Sequence, residues 1–107
     1  ALGAITACLG SHEGAVRLAA VAALAEVAVA EDAEIFLPLA DRLADDYPGV
    51  RQVAAEMLAR LAPDGPPDAV ETVAAVLEQP EADARASAHD VLVKVATAYA
   101  DAGAGVA

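Results

Sequence analysis

The residues best suited to chemistry in this sequence are few and far apart. Its single cysteine, Cys8, lies four residues before His12, a spacing that places a thiol and an imidazole on one face of a helix. Such a pair suggests a nucleophilic dyad or half of a metal site. However, structural zinc needs four ligands, and a cysteine nucleophile needs an oriented base. The only other histidine is His89, which shares a repeat position with apolar residues. We therefore favour a structural role for both histidines and predict no metal.

Two adjacent carboxylates, Asp45 and Asp46, form the other candidate site. Paired oxygen ligands would suit a hard cation. These residues stand just before Tyr47-Pro48-Gly49, where proline and glycine predict a turn. Acidic residues in front of a helix commonly cap its unpaired backbone N–H groups, and this interpretation is favoured. The sequence shows no glycine-rich phosphate loop, no HExxH motif and no Ser-His-Asp set, so no cofactor or small-molecule substrate is predicted.

The elements that position these residues repeat every 34 positions. An arginine recurs at this interval, at Arg17, Arg51 and Arg85. Apolar residues recur with it, in columns such as Ile5, Leu39 and Val73, Leu9, Leu43 and Leu77, and Leu24, Leu58 and Leu92. The leucine and arginine columns exceed what an alanine-rich composition gives by chance. A fixed period of this length indicates a repeat architecture.

Residues 35–62 show one repeat most fully. An apolar helix containing Pro38 is followed by an acidic turn and then by a second apolar helix that opens with Val50-Arg51. Neither helix can bury its apolar stripe alone, so the two are expected to pack as a hairpin. The pattern V-R-x-x-A-x-x-x-L-x-x-L, preceded by a proline-containing helix and an acidic turn, resembles a HEAT repeat. The resemblance covers roughly residues 1–100.

The resemblance implies an all-α fold, an α-solenoid of about three antiparallel helix pairs stacked into a superhelix. We predict repeats at residues 1–31, 32–66 and 67–100, and a flexible tail at 101–107, whose sequence is DAGAGVA. In the third repeat, a helix from Asp68 to Glu78 is predicted to face inward through Val70, Val73 and Leu77. The resemblance also implies a structural ladder between repeats, formed by Arg17, Arg51 and Arg85 with Asp46. Glu13 and Asp83 align with that ladder less well.

Positions off the buried stripe of the second helices form the predicted protein-binding face. A solvated face with no partner is the alternative interpretation, because the anchoring aromatic residues of a binding hot spot are missing. The candidate residues are Leu18, Ala22, Gln52, Glu56, Arg60, Asp90 and Lys94.

The helix predicted over residues 15–30 is apolar on nearly every side. Its uncharged interval, residues 18–25, is far shorter than the roughly 18 to 20 residues that cross a bilayer. A helix that is apolar all round is normally buried all round. We therefore predict that Leu18, Ala22 and Ala25 are exposed within this chain and are covered by another subunit or by a further repeat.

Charge and cysteine content narrow the classes of function. The 107 residues include 17 acidic and 6 basic side chains, a net charge of −11, which argues against nucleic acid or an anionic membrane as partner. One cysteine excludes an internal disulfide framework and fits a reducing compartment, such as the cytoplasm or an organelle interior.

Two functional hypotheses remain. The leading one is a noncatalytic scaffold or accessory subunit that binds another protein. The alternative is a HEAT-like domain of an enzyme, such as a bilin lyase or a hydroxylase. That alternative requires a ligand pocket with convergent polar groups, and fold analogy alone supports neither hypothesis strongly.

Overall fold

The computed structural model describes residues 2–27, 33–64 and 67–106, and every regular element in those ranges is helical. The prediction of an all-α fold is therefore confirmed for the described residues. The helices are α1 (Leu2–Cys8), α2 (Gly14–Val27), α3 (Ala33–Asp41), α4 (Pro48–Leu61), α5 (Ala69–Ala75) and α6 (Ala82–Val106). Short 3₁₀ turns extend α3 through Arg42–Ala44, α4 through Ala62–Asp64 and α5 through Val76–Glu78.

The starts of α2, α4 and α6 are spaced like the sequence repeat. These helices begin at Gly14, Pro48 and Ala82, which are 34 residues apart. The first backbone hydrogen bonds repeat as well: the N–H groups of Arg17, Arg51 and Arg85 donate to the carbonyls four residues earlier, over 3.1, 3.3 and 3.2 Å. Pro48 suits its place in the first turn of α4, since no helical partner exists there for the N–H it lacks.

The ends of α1, α3 and α5 also follow this spacing. Each closes with a tight turn in which an N–H donates to the carbonyl three residues earlier, over 3.1 Å. The donors are Ser11, Asp45 and Gln79. These bonds satisfy carbonyls that a helix end leaves without an intrahelical partner. The same three residues therefore begin the connections to α2, α4 and α6.

Helices next to each other in sequence pack together, with α1 against α2, α3 against α4, and α5 against α6. In addition, α2 packs against α4, α4 against α6, and α3 against α5. Below, a hairpin means only two helices that follow each other in sequence and pack together, as these three pairs do. One core runs through them, and its largest fully buried side chains include Leu24, Leu39, Leu58, Val73 and Val91. The molecule measures 47 × 32 × 20 Å.

Several elements differ from the sequence prediction. Val70 and Leu77 are 39% and 37% exposed rather than buried. The buried stripe of this segment consists instead of Ala69, Val73 and Val76, and Val70 lies off it by one helical position. The tighter 3₁₀ turn after Ala75 changes the direction of Leu77.

The C-terminal helix is longer than predicted. α6 continues to Val106, so helix covers most of the stretch for which the sequence predicts a flexible tail. Its alanines favour helix strongly enough to accommodate the two glycines. The last three residues of the helix predicted over 15–30 lie outside the described residues, as does the side chain of Ala25. None of the helices in the described ranges is long and apolar enough to span a lipid bilayer.

Candidate functional site

Asp45 is the centre of a polar cluster, and among the residues that the structure describes it is the polar one within an otherwise apolar set of buried residues. It follows the 3₁₀ turn of the second hairpin and has an extended backbone, with φ −61° and ψ 140°. This geometry directs its carboxylate back towards the chain, where Oδ1 accepts a hydrogen bond of 2.9 Å from the N–H of Tyr47. The side chain is only 2% exposed. A carboxylate buried this deeply requires charged or hydrogen-bonding partners.

Arg17, from the first hairpin, is the main partner of Asp45. Its Nε lies 2.7 Å from Oδ2 and its Nη2 lies 2.8 Å from Oδ1, so the guanidinium binds both carboxylate oxygens. Nη2 also contacts Oδ1 of Asp46 at 3.0 Å, and Arg42 approaches Asp45 at 3.4 Å. We call these four residues the ion cluster. Two-pronged arginine–carboxylate pairs are among the stronger charged contacts in proteins.

The electrostatics of Asp45 reflect a balance of opposing effects. Burial acts to raise its pKa, but the hydrogen bonds from Arg17 and from the N–H of Tyr47 lower it, as do the charges of Arg17 and Arg42. The net result is a pKa of Asp45 below its ordinary value. The hydrogen bond to Asp45 likewise raises the pKa of Arg17. The pair is therefore held in its charged form, as expected of a structural contact.

The three repeated arginines make one contact in common. Nη1 of Arg17, Arg51 and Arg85 donates to the carbonyl six residues earlier, over 2.8, 2.7 and 2.8 Å. Each arginine thereby ties the start of the second helix of its hairpin to the end of the first. This contact to the carbonyls of Ser11, Asp45 and Gln79 is a feature that the sequence analysis missed. In the sequence, the signal that accompanies this arginine–carbonyl contact is the recurrence of arginine every 34 residues.

The ladder proposed from the resemblance is uneven. Arg17 does contact Asp46, but Asp46 is 96% exposed and the deeper contact is to Asp45. Arg51 lies 3.7 Å from Asp83, which is 77% exposed. Arg85 hydrogen-bonds to the carbonyls of Gln79 and Pro80. The carbonyl contact thus repeats in all three hairpins, whereas the contacts with carboxylates differ.

Four of the residues predicted to bind a protein meet in one groove. Gln52 and Glu56 of α4 face Asp90 and Lys94 of α6 across a space of about 350 Å³. Nζ of Lys94 pairs with Asp90 at 3.1 Å. The other residues lining this α4–α6 groove are Pro48, Arg51, Ala55, Ala86 and Ser87. Three of these residues, Ala55, Ala86 and Ser87, have small side chains.

The remaining candidates lie elsewhere. Ala22 is exposed on α2 and Arg60 is exposed on α4. Leu18 is partly buried and packs against the core, which corrects the prediction that it is exposed. A β-carbon placed on Gly49 would lie 3.4 Å from Cδ2 of Leu18, so α4 of this same chain covers that side of α2.

The residues first considered for chemistry do not assemble a reactive site. Cys8 is exposed at the end of α1, while His12 is exposed in the following turn and therefore does not share a helical face with it. His89 is also exposed, in contrast to the buried Val21 and Ala55 at the equivalent positions. Within the described ranges, no group of three or more His, Cys, Asp or Glu residues is arranged to hold a metal ion.

The fold and the site together define an all-α protein in which an arginine–carbonyl contact repeats in every hairpin and an ion cluster joins the first two. Neither the protein-family models, nor the curated proteins, nor the solved structures compared with this chain give a match.

Proposed function

We propose that this protein is a noncatalytic scaffold or accessory subunit of a larger assembly, built as a HEAT-like α-solenoid, and that it binds a partner protein in the α4–α6 groove. The observation that carries the proposal is the convergence of Gln52, Glu56, Asp90 and Lys94 on a groove between two packed second helices. The helix starts 34 residues apart and the repeated arginine–carbonyl contacts support the solenoid.

The composition of the groove suits a polypeptide segment. Gln52 and Ser87 offer hydrogen bonds, while Glu56, Asp90 and Lys94 offer charges of both signs. Such a mixture selects a partner by its pattern of charge and hydrogen bonding. The groove floor includes Ala55, which is buried, and the adjacent Ala86 lets a chain approach closely.

The polar groups of the ion cluster support a structural role for it. Arg17 and Asp45 use their hydrogen-bonding atoms on each other and on nearby backbone, and no described buried side-chain N or O atom is left unsatisfied. The ion cluster joins the first two hairpins, and Arg51, which lines the groove, contacts Asp83 of the third. Contacts that fix the arrangement of the hairpins before binding would lower the entropic cost of association. We also propose a reducing intracellular compartment, in keeping with an exposed, unpaired Cys8.

Site-specific photo-cross-linking in the native cell tests the binding role. A photoreactive residue replaces Gln52 in the groove, and a matched variant carries it at Glu71, which is exposed on α5. The proposal expects a discrete cross-linked adduct with one protein at position 52 and none at position 71. Reversing a groove charge with Glu56→Lys should reduce the yield at position 52 at least about fivefold, equivalent to about 1 kcal/mol.

The outcomes separate the proposal from the enzyme hypothesis. Adducts that are the same at both positions, or absent at both, would contradict binding in the groove. Purification of the native protein with a stoichiometric pigment or metal, detected by absorption and elemental analysis, would instead support an enzyme domain.

A further inference from the structure

We infer that a second groove, on the outer side of α1 and α2, is a docking surface for a further helix pair that presents an uncharged aliphatic face. This α1–α2 groove encloses about 240 Å³ and is lined by Ile5, Cys8, Val16, Ala19, Ala20 and Ala23. None of these residues is an Asp, Glu, Lys or Arg, although the chain as a whole has a net charge of −11. The inference deepens the proposed scaffold function and rests on it.

Comparison of equivalent positions shows how this face differs from the rest of the molecule. Val16 is 37% exposed, whereas Val50 and Ala84, which lie 34 and 68 residues later, are completely buried. Ala23 is half-buried, but its equivalents Met57 and Val91 are buried. The side of α2 that is open therefore corresponds to a side that is closed in α4 and α6.

The packing of the helices accounts for the difference. α4 packs against α2 of the hairpin before it, and α6 packs against α4 in the same way. In addition to its partner α1, α2 packs against α4, which lies on its other side, next to Leu18. The open face of α2 in the α1–α2 groove is thus equivalent to the face that α4 packs against α2 and to the face that α6 packs against α4. It offers the same kind of surface.

This equivalence identifies the chemistry of the occupant. α4 packs against α2, an aliphatic helix whose partly buried Leu18 lies next to Gly49 of α4 and whose Val21 and Leu24 are buried. A helix with a similar uncharged aliphatic face would fit the α1–α2 groove, because Ala19, Ala20 and Ala23 permit close approach of two helices. A charged face would be disfavoured, since its charges would lose water without gaining partners.

Cys8 supplies a reporter for occupancy, because it lines the groove and is exposed. The test extends the full chain at its N-terminus with a second copy of residues 1–34, which carries Cys8→Ser so that one thiol remains. Tethering supplies a suitable helix pair at high effective concentration without knowledge of the natural occupant. The rate of Cys8 alkylation by N-ethylmaleimide is then compared with the rate in the parent chain.

The expected result is at least a tenfold slower alkylation of Cys8 in the extended chain. Val16→Glu in the original hairpin should restore the parental rate, and Ala19→Glu provides a second test at an exposed position. Val93→Glu is the matched control, because Val93 is 49% exposed on α6, away from the groove. Circular dichroism verifies that every variant is folded.

Two results would overturn the inference. One is parental alkylation of Cys8 in a folded extended chain. The other is a concentration-dependent dimer of the parent, measured by light scattering and dissolved by Val16→Glu, which would assign the groove to a second copy of this chain. Both leave cross-linking at position 52 unaffected, so failure of this inference is distinguishable from failure of the scaffold proposal.

Discussion

Arg17 and Asp45, 28 residues apart in sequence, bind each other through two hydrogen bonds of 2.7 and 2.8 Å. Arg17 also holds the carbonyl of Ser11 in its own hairpin, and the carbonyl of Asp45 accepts a hydrogen bond from Arg51. Arg51 in turn reaches Asp83 at the start of α6. A continuous polar connection therefore crosses all three hairpins, and Arg17 and Asp45 form its most deeply buried link.

Removal of the buried carboxylate should destabilise the protein more than removal of its neighbour. Asp45→Ala leaves Arg17 without its main partner and the N–H of Tyr47 without its acceptor, so we expect a loss of about 2 to 3 kcal/mol in the free energy of unfolding. Asp46 is 96% exposed, and Asp46→Ala should change this free energy by less than about 1 kcal/mol. Urea unfolding at neutral pH measures both. Equal losses in the two variants would contradict the central position of Asp45.

The lowered pKa of Asp45 predicts a stability contribution that acid removes. The pKa of Asp45 is lower in the folded protein than in the unfolded chain, where an aspartate has a pKa of about 3.9. Such a carboxylate contributes its full stabilisation at pH values above the unfolded-state pKa. The contribution declines as the pH falls through the folded-state pKa, because the folded protein must then take up a proton. The difference in unfolding free energy between the parent and Asp45→Asn should therefore shrink below about pH 4. A difference that stays constant from neutral to acidic pH would contradict this explanation.

Gly14 should be intolerant of alanine despite its helical position. A β-carbon on Gly14 would overlap the ring of Tyr47 from the next hairpin, whereas a β-carbon on Gly3 in α1 would meet nothing within 4 Å. Alanine normally stabilises a helix relative to glycine by up to about 1 kcal/mol. We expect Gly3→Ala to show that gain and Gly14→Ala to lose about 1 to 3 kcal/mol through overpacking. Thermal unfolding followed by circular dichroism measures both. Recovery in Gly14→Ala/Tyr47→Ala would identify the ring as the cause.

The sequence was sufficient to predict the helical class, because helix propensity and the spacing of apolar residues are local patterns. Leucine columns at a fixed interval indicate which helix faces are buried, and Leu24, Leu43 and Leu58 are buried, whereas Leu77 is exposed because a 3₁₀ turn changes its direction. The choice between Asp45 and Asp46 lay beyond the sequence. Two identical neighbouring side chains differ only in the direction that the backbone gives them, and the turn at Asp45 sets that direction.

Tertiary contacts also decided which apolar residues are covered. α2 packs against both α1 and α4, and its apolar composition did not identify which of its sides these helices cover. Leu18 is shielded next to Gly49, while Val16 and Ala19 remain exposed. The path of one helix across another depends on small residues at the crossing, and an alanine-rich sequence places such residues on every face of α2.

Arg51 offers a final test of which contact contributes more to stability, the arginine–carbonyl contact within the second hairpin or the ion pair with the third. Its Nη1 donates to the carbonyl of Asp45 at 2.7 Å, a shorter contact than the 3.7 Å to the mostly exposed Asp83. We therefore expect Arg51→Ala to lose about 1 to 2 kcal/mol of unfolding free energy, with helix content unchanged below the transition.

Arg51→Lys should lose about 1 kcal/mol, since lysine lacks the planar fork of arginine. Asp83→Asn should lose less than either, because exposed ion pairs contribute about 0 to 1 kcal/mol. An Asp83→Asn variant as unstable as Arg51→Ala would show instead that the ion pair contributes most of the stability that Arg51 supplies. A melting curve of Arg51→Ala that overlays that of the parent would show that neither contact stabilises the fold.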